Sequence, residues 1–209
     1  MRHSGFRCFF AMSGEEYSLS VSYVYKILNR KKDCQMNQPP LFTTRVLDAA
    51  DAETYVALRL EALRTNPEAF LVTYEESIAD DNLLAVYRNR LMPTPLSFTM
   101  GVFRGEDLVS MATFIRSDRE KIRHKASLVA VYTTPDERGK GMSKMLLSAM
   151  IEKAREWEGV EQITLTVASE NAPAVMLYRS LGFEWFGTEK KAMIHQGVYA
   201  DEDYMKLML

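Results

Sequence analysis

The segment that constrains this chain most is a turn between two regular patterns. An apolar, strand-like run, Ser127 to Thr133, leads through Pro135 into Arg138-Gly139-Lys140-Gly141-Met142-Ser143. A helical pattern then opens, with Met142, Leu146, Met150 and Ala154 on one face and Met145 and Ala149 alongside. A glycine-rich turn that starts a helix presents backbone N–H groups with no intrahelical acceptor. The positive end of the helix macrodipole adds to them, and the result is a cradle for phosphate oxygens. Lys140 and Lys144 bring charge to its rim, and the glycines let a diphosphate approach the main chain. The spacing excludes two common phosphate loops. No Gly-x-x-x-x-Gly-Lys-Ser/Thr is present, and Lys144 stands where a dinucleotide fingerprint needs its third glycine.

A second constellation lies about thirty residues on. Thr164-Leu165-Thr166-Val167 alternates like a strand, and Asn171-Ala172-Pro173-Ala174-Val175-Met176-Leu177-Tyr178-Arg179-Ser180-Leu181-Gly182-Phe183 follows it. Asn171 is suited to cap a helix, Pro173 to its first turn and Gly182 to its C-terminal end. Ala174, Leu177 and Leu181 share a face, with Tyr178 beside it, able to put its phenol into a cleft or to pack as a core tyrosine.

The two stretches together resemble motifs A and B of the GNAT superfamily of N-acetyltransferases. Arg138 and Gly141 match Arg-x-x-Gly-x-Gly/Ala, with Ser143 in place of the last small residue; its hydroxyl is able to donate to a phosphate. Asn171 to Phe183 is similar to Asn-x-x-Ala-x-x-Leu-Tyr-x-x-x-Gly-Phe. Leu58 to Leu63 with Asn66 to Phe70, and the tail Tyr199 to Met205, look like the family's first helix and closing strand. The resemblance covers about residues 41–209 and implies an acetyl transfer from acetyl-CoA, as cosubstrate, to a primary amine, by direct attack in a ternary complex. It implies that Arg138, Gly139, Lys140, Gly141, Met142 and Ser143 hold the pyrophosphate. Main-chain donors within Val131, Tyr132 and Thr133 would take the thioester oxygen and the pantetheine arm, where that strand splays from the next. Asn171 would contact the cofactor or an ordered water, and Tyr178 would be the general acid for the departing sulfur. Glu75, Glu76, Glu137, Glu170 and His195 are all conceivable bases, and none is assigned. The alternative is a catalytically silent acyl-CoA-binding sensor or interaction module, against which the intact Tyr178 and Asn171 argue.

The order of patterns predicts an α+β fold, three layers with a mixed, mostly antiparallel twisted sheet flanked by helices. Strands are expected at Phe42–Val46, Ser97–Phe103, Leu108–Ile115, Ala126–Thr133, Thr164–Val167, Phe183–Phe186, Ala192–His195 and Tyr204–Leu209. Helices are expected through Tyr55–Arg64, over Ile78–Leu91, after the glycine turn and after Asn171. The acceptor site is expected between the first two helices, the loop from Phe70 to Glu76 and the late hairpin.

Composition sets the remaining limits. With 47% hydrophobic and 26% charged residues, the chain has material for a core and a solvated surface. Its net charge of −2 gives no global case for nucleic acid or an anionic membrane. Two cysteines, Cys8 and Cys34, and three scattered histidines, His3, His124 and His195, indicate neither a disulfide framework nor a metal site. A reducing, cytoplasmic setting follows. Residues 1–40 form an N-terminal extension with six Lys/Arg against three acids, a helical stripe Tyr17, Val21, Val24, Leu28, and a linker at Gln38-Pro39-Pro40. That +3 leaves −5 on residues 41–209, a weak hint of a cationic acceptor such as a polyamine, an aminoglycoside or a lysine side chain. Homodimers are common among such domains.

Overall fold

The computed structural model describes residues 42–209. The N-terminal extension, with its stripe, its cysteines and the boundary at residue 40, lies outside the described residues. The chain runs β1 (Phe42–Val46), α1 (Ala52–Thr65), α2 (Tyr74–Ile78), α3 (Leu83–Arg90), β2 (Ser97–Arg104), β3 (Asp107–Arg116) and β4 (Lys125–Thr133). It continues with α4 (Met142–Arg155), β5 (Gln162–Ala168), α5 (Ala172–Ser180), β6 (Glu184–His195) and β7 (Val198–Met208). The seven strands form one sheet in the order β1-β2-β3-β4-β5-β7-β6. Every neighbouring pair is antiparallel except β4 with β5. This is the mixed α+β sheet expected from the patterns.

Strand alternation divides the interior into two cores, one on each face of the sheet. Along β2, Phe98, Met100 and Val102 join a core with Leu146, Leu147 and Met150 of α4 and with Tyr178 and Phe183. Phe103 points the other way, into a core with Leu47, Met111, Tyr132 and Tyr55 and Leu58 of α1. The approach to α1 is held by polar groups. Asp48 caps a short 3₁₀ turn, and Asp51 receives two 2.6 Å hydrogen bonds from Arg45 on β1.

Three expectations are corrected. The helix over Ile78–Leu91 is two helices, because Thr73 and Glu76 form a capping box that starts α2 at Tyr74. The Asp80 side chain then accepts the Asn82 N–H at 2.9 Å and turns the chain before α3. The strands Phe183–Phe186 and Ala192–His195 are one strand, β6, whose irregular stretch has Lys191 at φ 55° with its N–H on the Asp201 carboxylate. The last strand starts at Val198, not Tyr204. Gln196 and Gly197, both at positive φ, make a tight two-residue hairpin turn before it.

Candidate functional site

The site begins where the sheet opens. β4 pairs with β5 only over Lys125–Ser127 against Gln162–Thr164, and beyond Ser127 the two parallel strands part. On its other edge β4 stays paired with β3, but two residues, Ala130 and Val131, lie opposite Ala112 alone. Ala130 has φ 55°, a left-handed conformation uncommon outside glycine and found where surrounding structure enforces it. No residue type announces this bulge, and sequence reasoning missed it.

The splay and bulge set the context for Val131, Tyr132 and Thr133. The Tyr132 side chain is buried in the core beside α1, where its hydroxyl meets Thr65 Oγ1 at 2.8 Å and donates to Glu61 at 3.1 Å. Burial pushes that phenol up. Thr133 Oγ1 lies 2.7 Å from Ser110 Oγ and 2.8 Å from Ser143 Oγ. This hydroxyl chain ties β3, β4 and the first turn of α4 together. The side chains of Tyr132 and Thr133 are thus engaged inside the protein, and their carbonyl oxygens accept from Ser110 Oγ at 2.9 Å and from the Arg138 guanidinium.

The glycine loop follows. Among the described residues, no main-chain N–H from Gly139 to Lys144 has an acceptor; the first bond into α4 is Met145 N–H to Gly141 O at 2.9 Å. Residues 138–141 are exposed. Gly139 and Gly141 take φ 73° and 86°, and a Cβ at either would meet no atom within 4 Å. Backbone conformation, rather than crowding by the protein, is what demands glycine here. Gly141 is the N-cap of α4 and offers no side chain, so the positive helix end is open to an anion.

Two residues of the loop differ from expectation. The Arg138 N–H is already bonded to Pro135 O, and its guanidinium donates to Thr133 O at 3.0 Å and to Asn66 Oδ1 at 2.6 Å. Arg138 therefore braces the loop against β4 and the end of α1. The Lys140 ammonium sits 3.2 Å from Glu137, which is 1% exposed and also paired with Arg104 of β2. Its charge is tied to the base of the loop instead of standing free at the rim.

Asn171 caps α5 as its sequence suggests, accepting the Ala174 N–H at 3.2 Å. Tyr178 is 5% exposed, packs edge-on to Phe183 and belongs to the core beside α4. Burial alone, with no charged neighbour, pushes its phenol well above the ordinary range.

On the opposite face lies a cavity of about 470 Å³, walled by Tyr55 and Arg59 of α1, Tyr87 and Arg90 of α3, and residues of β2, β3 and β4 that include Ala130. Neither the loop from 70 to 76 nor the β6–β7 hairpin lines it. Phe70 is involved differently, with the Arg59 guanidinium 4.3 Å over its ring. Among the described residues, no aspartate or glutamate lines the cavity, and Glu75, Glu76, Glu137, Glu170 and His195 all lie outside it. Sequence reasoning missed Arg59 and Arg90, which look like surface arginines of amphipathic helices. Among the described residues, no helix is long and apolar enough to cross a membrane.

Comparison with known proteins agrees with this geometry. The model of the acetyltransferase (GNAT) family matches residues 52–183. The L-amino acid N-acetyltransferase AaaT of Escherichia coli (strain K12) is 29% identical over 160 residues, which is 77% of this chain and 95% of that protein. A GNAT-family acetyltransferase from Streptococcus pneumoniae superposes with a TM-score of 0.72 at 21% identity, covering 81% of this chain and all of the other. The yncA structure from Salmonella typhimurium, solved with its cofactor acetyl-CoA, superposes with a TM-score of 0.67 at 24% identity over 80% of this chain and 94% of its own.

Proposed function

We propose, from the premise that this chain belongs to the GNAT acetyltransferase family, how its residues divide the work of moving an acetyl group. The protein is an acetyl-CoA-dependent N-acetyltransferase with a primary amine as acceptor. In our reading, Gly139, Lys140, Gly141, Met142 and Ser143 hold the pyrophosphate through their main-chain N–H groups, and Arg138 keeps the loop in shape. The observation that carries this is the unbroken run of acceptor-free amides at the start of α4, beside a strand that has parted from its neighbour.

Val131, Tyr132 and Thr133 then supply main-chain partners to the pantetheine arm and a donor to the thioester oxygen, where negative charge develops. Holding both reactants at the bulge replaces a bimolecular encounter with a local one. Chemically, an N–C bond forms and the C–S bond breaks; the amine gives up a proton and the sulfur gains one. Tyr178 donates that second proton or its hydrogen bond. A raised phenol is a weaker acid than a thiol of pKa about 8.5, so the hydroxyl stays protonated until the sulfur takes up charge. Asn171 contacts the cosubstrate or a bound water from the head of α5. No base is assigned, and the amine's proton is taken up by solvent.

The cavity between α1, α3 and β4 is the acceptor site in this reading, because Ala130 of the bulge stands in its wall. The relatives named for L-amino acid substrates make L-amino acids the first acceptors to try. A cytoplasmic setting fits the sparse cysteine content. A homodimer across the free edge of the sheet is supported by Trp185 and Phe186 on β6, 53% and 49% exposed. The test of the reading is thiol release from acetyl-CoA with a panel of amines, for the wild type and Tyr178→Phe. A variant as fast as the wild type at every pH overturns the role of Tyr178.

A further inference from the structure

We propose that Arg59 is the anchor for a carboxylate on the acceptor, so that this acetyltransferase takes zwitterionic amino acids in preference to amines lacking an acid group. The inference rests on the acetyl-transfer reading and adds to it the residue that selects the acceptor.

Arg59 Nη1 is buried and has no hydrogen-bond partner among the described residues. A buried guanidinium N–H without an acceptor is costly, and such a group in a native site calls for a ligand or water to complete it. Among the described residues, neither Arg59 nor Arg90 has an aspartate or glutamate partner. One face of the Arg59 guanidinium covers the Phe70 ring, which fixes its plane and leaves its N–H edge for an acceptor. That arrangement suits the paired oxygens of a carboxylate.

The surroundings agree in sign. Arg59 lines the 470 Å³ cavity together with Arg90, and among the described residues nothing acidic does. The walls are therefore positive, whatever the −5 carried by residues 41–209 as a whole. A polyamine would meet two like charges in this cavity, whereas an amino acid brings a carboxylate to Arg59. The same cavity reaches Ala130 at the bulge of β4, so an amine next to the anchored carboxylate is held against the strand that receives the acyl group. Thr99 and Thr113, whose hydroxyls lie 2.9 Å apart in this wall, give the bound molecule neutral polar neighbours.

The experiment compares the twenty protein L-amino acids with their carboxamides as acceptors, for the wild type, Arg59→Gln and Arg59→Lys. Thermal midpoints and CoA affinity of each variant are measured alongside. For the best amino acid, wild-type kcat/KM is expected to exceed that of its carboxamide at least tenfold. Arg59→Gln is expected to bring the ratio near one, mainly through KM, and Arg59→Lys to retain part of it. A wild-type ratio of one, or the same ratio in Arg59→Gln with CoA affinity intact, overturns the proposal. Calorimetry with the same amino acids in the presence of CoA separates this from the acetyl-transfer reading. Binding that is lost at least tenfold in Arg59→Gln upholds the anchor even where no thiol is released. Binding of none of the twenty, or binding equal in Arg59→Gln, overturns it.

Discussion

The two halves of the candidate site use different parts of the polypeptide. The loop at the head of α4 offers main-chain amides, and its own charged side chains, Arg138 and Lys140, are bonded to neighbouring groups of the protein. The cavity beneath α1 and α3 offers side chains instead: two arginines, two tyrosines and hydroxyls from two strands. A main-chain site can hold only what every amide can hold, an anion of fixed shape such as a diphosphate. A side-chain site can be rewritten one residue at a time. A common cosubstrate on one side and variable acceptors on the other are the chemical outcome of that division.

Substitutions can break the division or sharpen it. The largest effect is expected at the proton-donating tyrosine. Tyr178→Phe should lower kcat by about 10²–10⁴-fold, with CoA binding measured by calorimetry unchanged. Because burial raises this phenol, it stays protonated through neutral and mildly alkaline pH. The wild-type rate should show no loss from its ionisation up to about pH 10, and a decline absent from Tyr178→Phe with a midpoint below that would contradict the assignment. Next, Gly141→Val puts a β-branched residue at φ 86° and should weaken CoA about tenfold or more. Amino-acid binding to the cavity should hardly change; an equal loss there would mean that the halves are not separable.

A smaller effect belongs to the frame of the side-chain half. Asp51→Asn removes the charge and one of the two oxygens that accept from Arg45 before α1, and should cost about 1–2 kcal/mol in urea unfolding at pH 7, since water reaches Arg45. Arg45 foremost holds the Asp51 carboxyl below its ordinary value. The stabilisation is thus fully present above about pH 4 and fades as pH falls through the depressed value. The difference between the two proteins should shrink in the same window. Least of all, Trp185→Lys on β6 should alter protomer stability by less than about 0.5 kcal/mol. Sedimentation should then show a monomer that keeps both binding activities.

The same division explains what was legible in the amino-acid order. Gly139 and Gly141 could be read because left-handed φ values demand glycine at fixed spacing. Asn171 could be read because a helix N-cap demands a short polar acceptor. Both are local requirements of the backbone. Arg59 carried no such mark: its significance comes from Phe70, Thr99, Thr113 and Ala130, brought near by the fold. Ala130 itself gave no signal, since alanine, unlike glycine or asparagine, is not a residue type that marks positive φ. A net charge summed over the chain does not report the few charges that wall one cavity. Where secondary structure was misread, at Asp80 and at Gln196-Gly197, side-chain turns and an unusual first turn residue did what proline or asparagine more often does.

The three rungs between β4 and β5 carry a mechanical implication. Four strands lie on one side of that seam and three on the other, and the ladder joining them stops after Ser127 and Thr164. A cosubstrate lying along the open length acts as a splint across a partly unzipped seam. Loading and stiffening are then a single event, and amide hydrogens flanking the gap should gain protection together as the splint slides in.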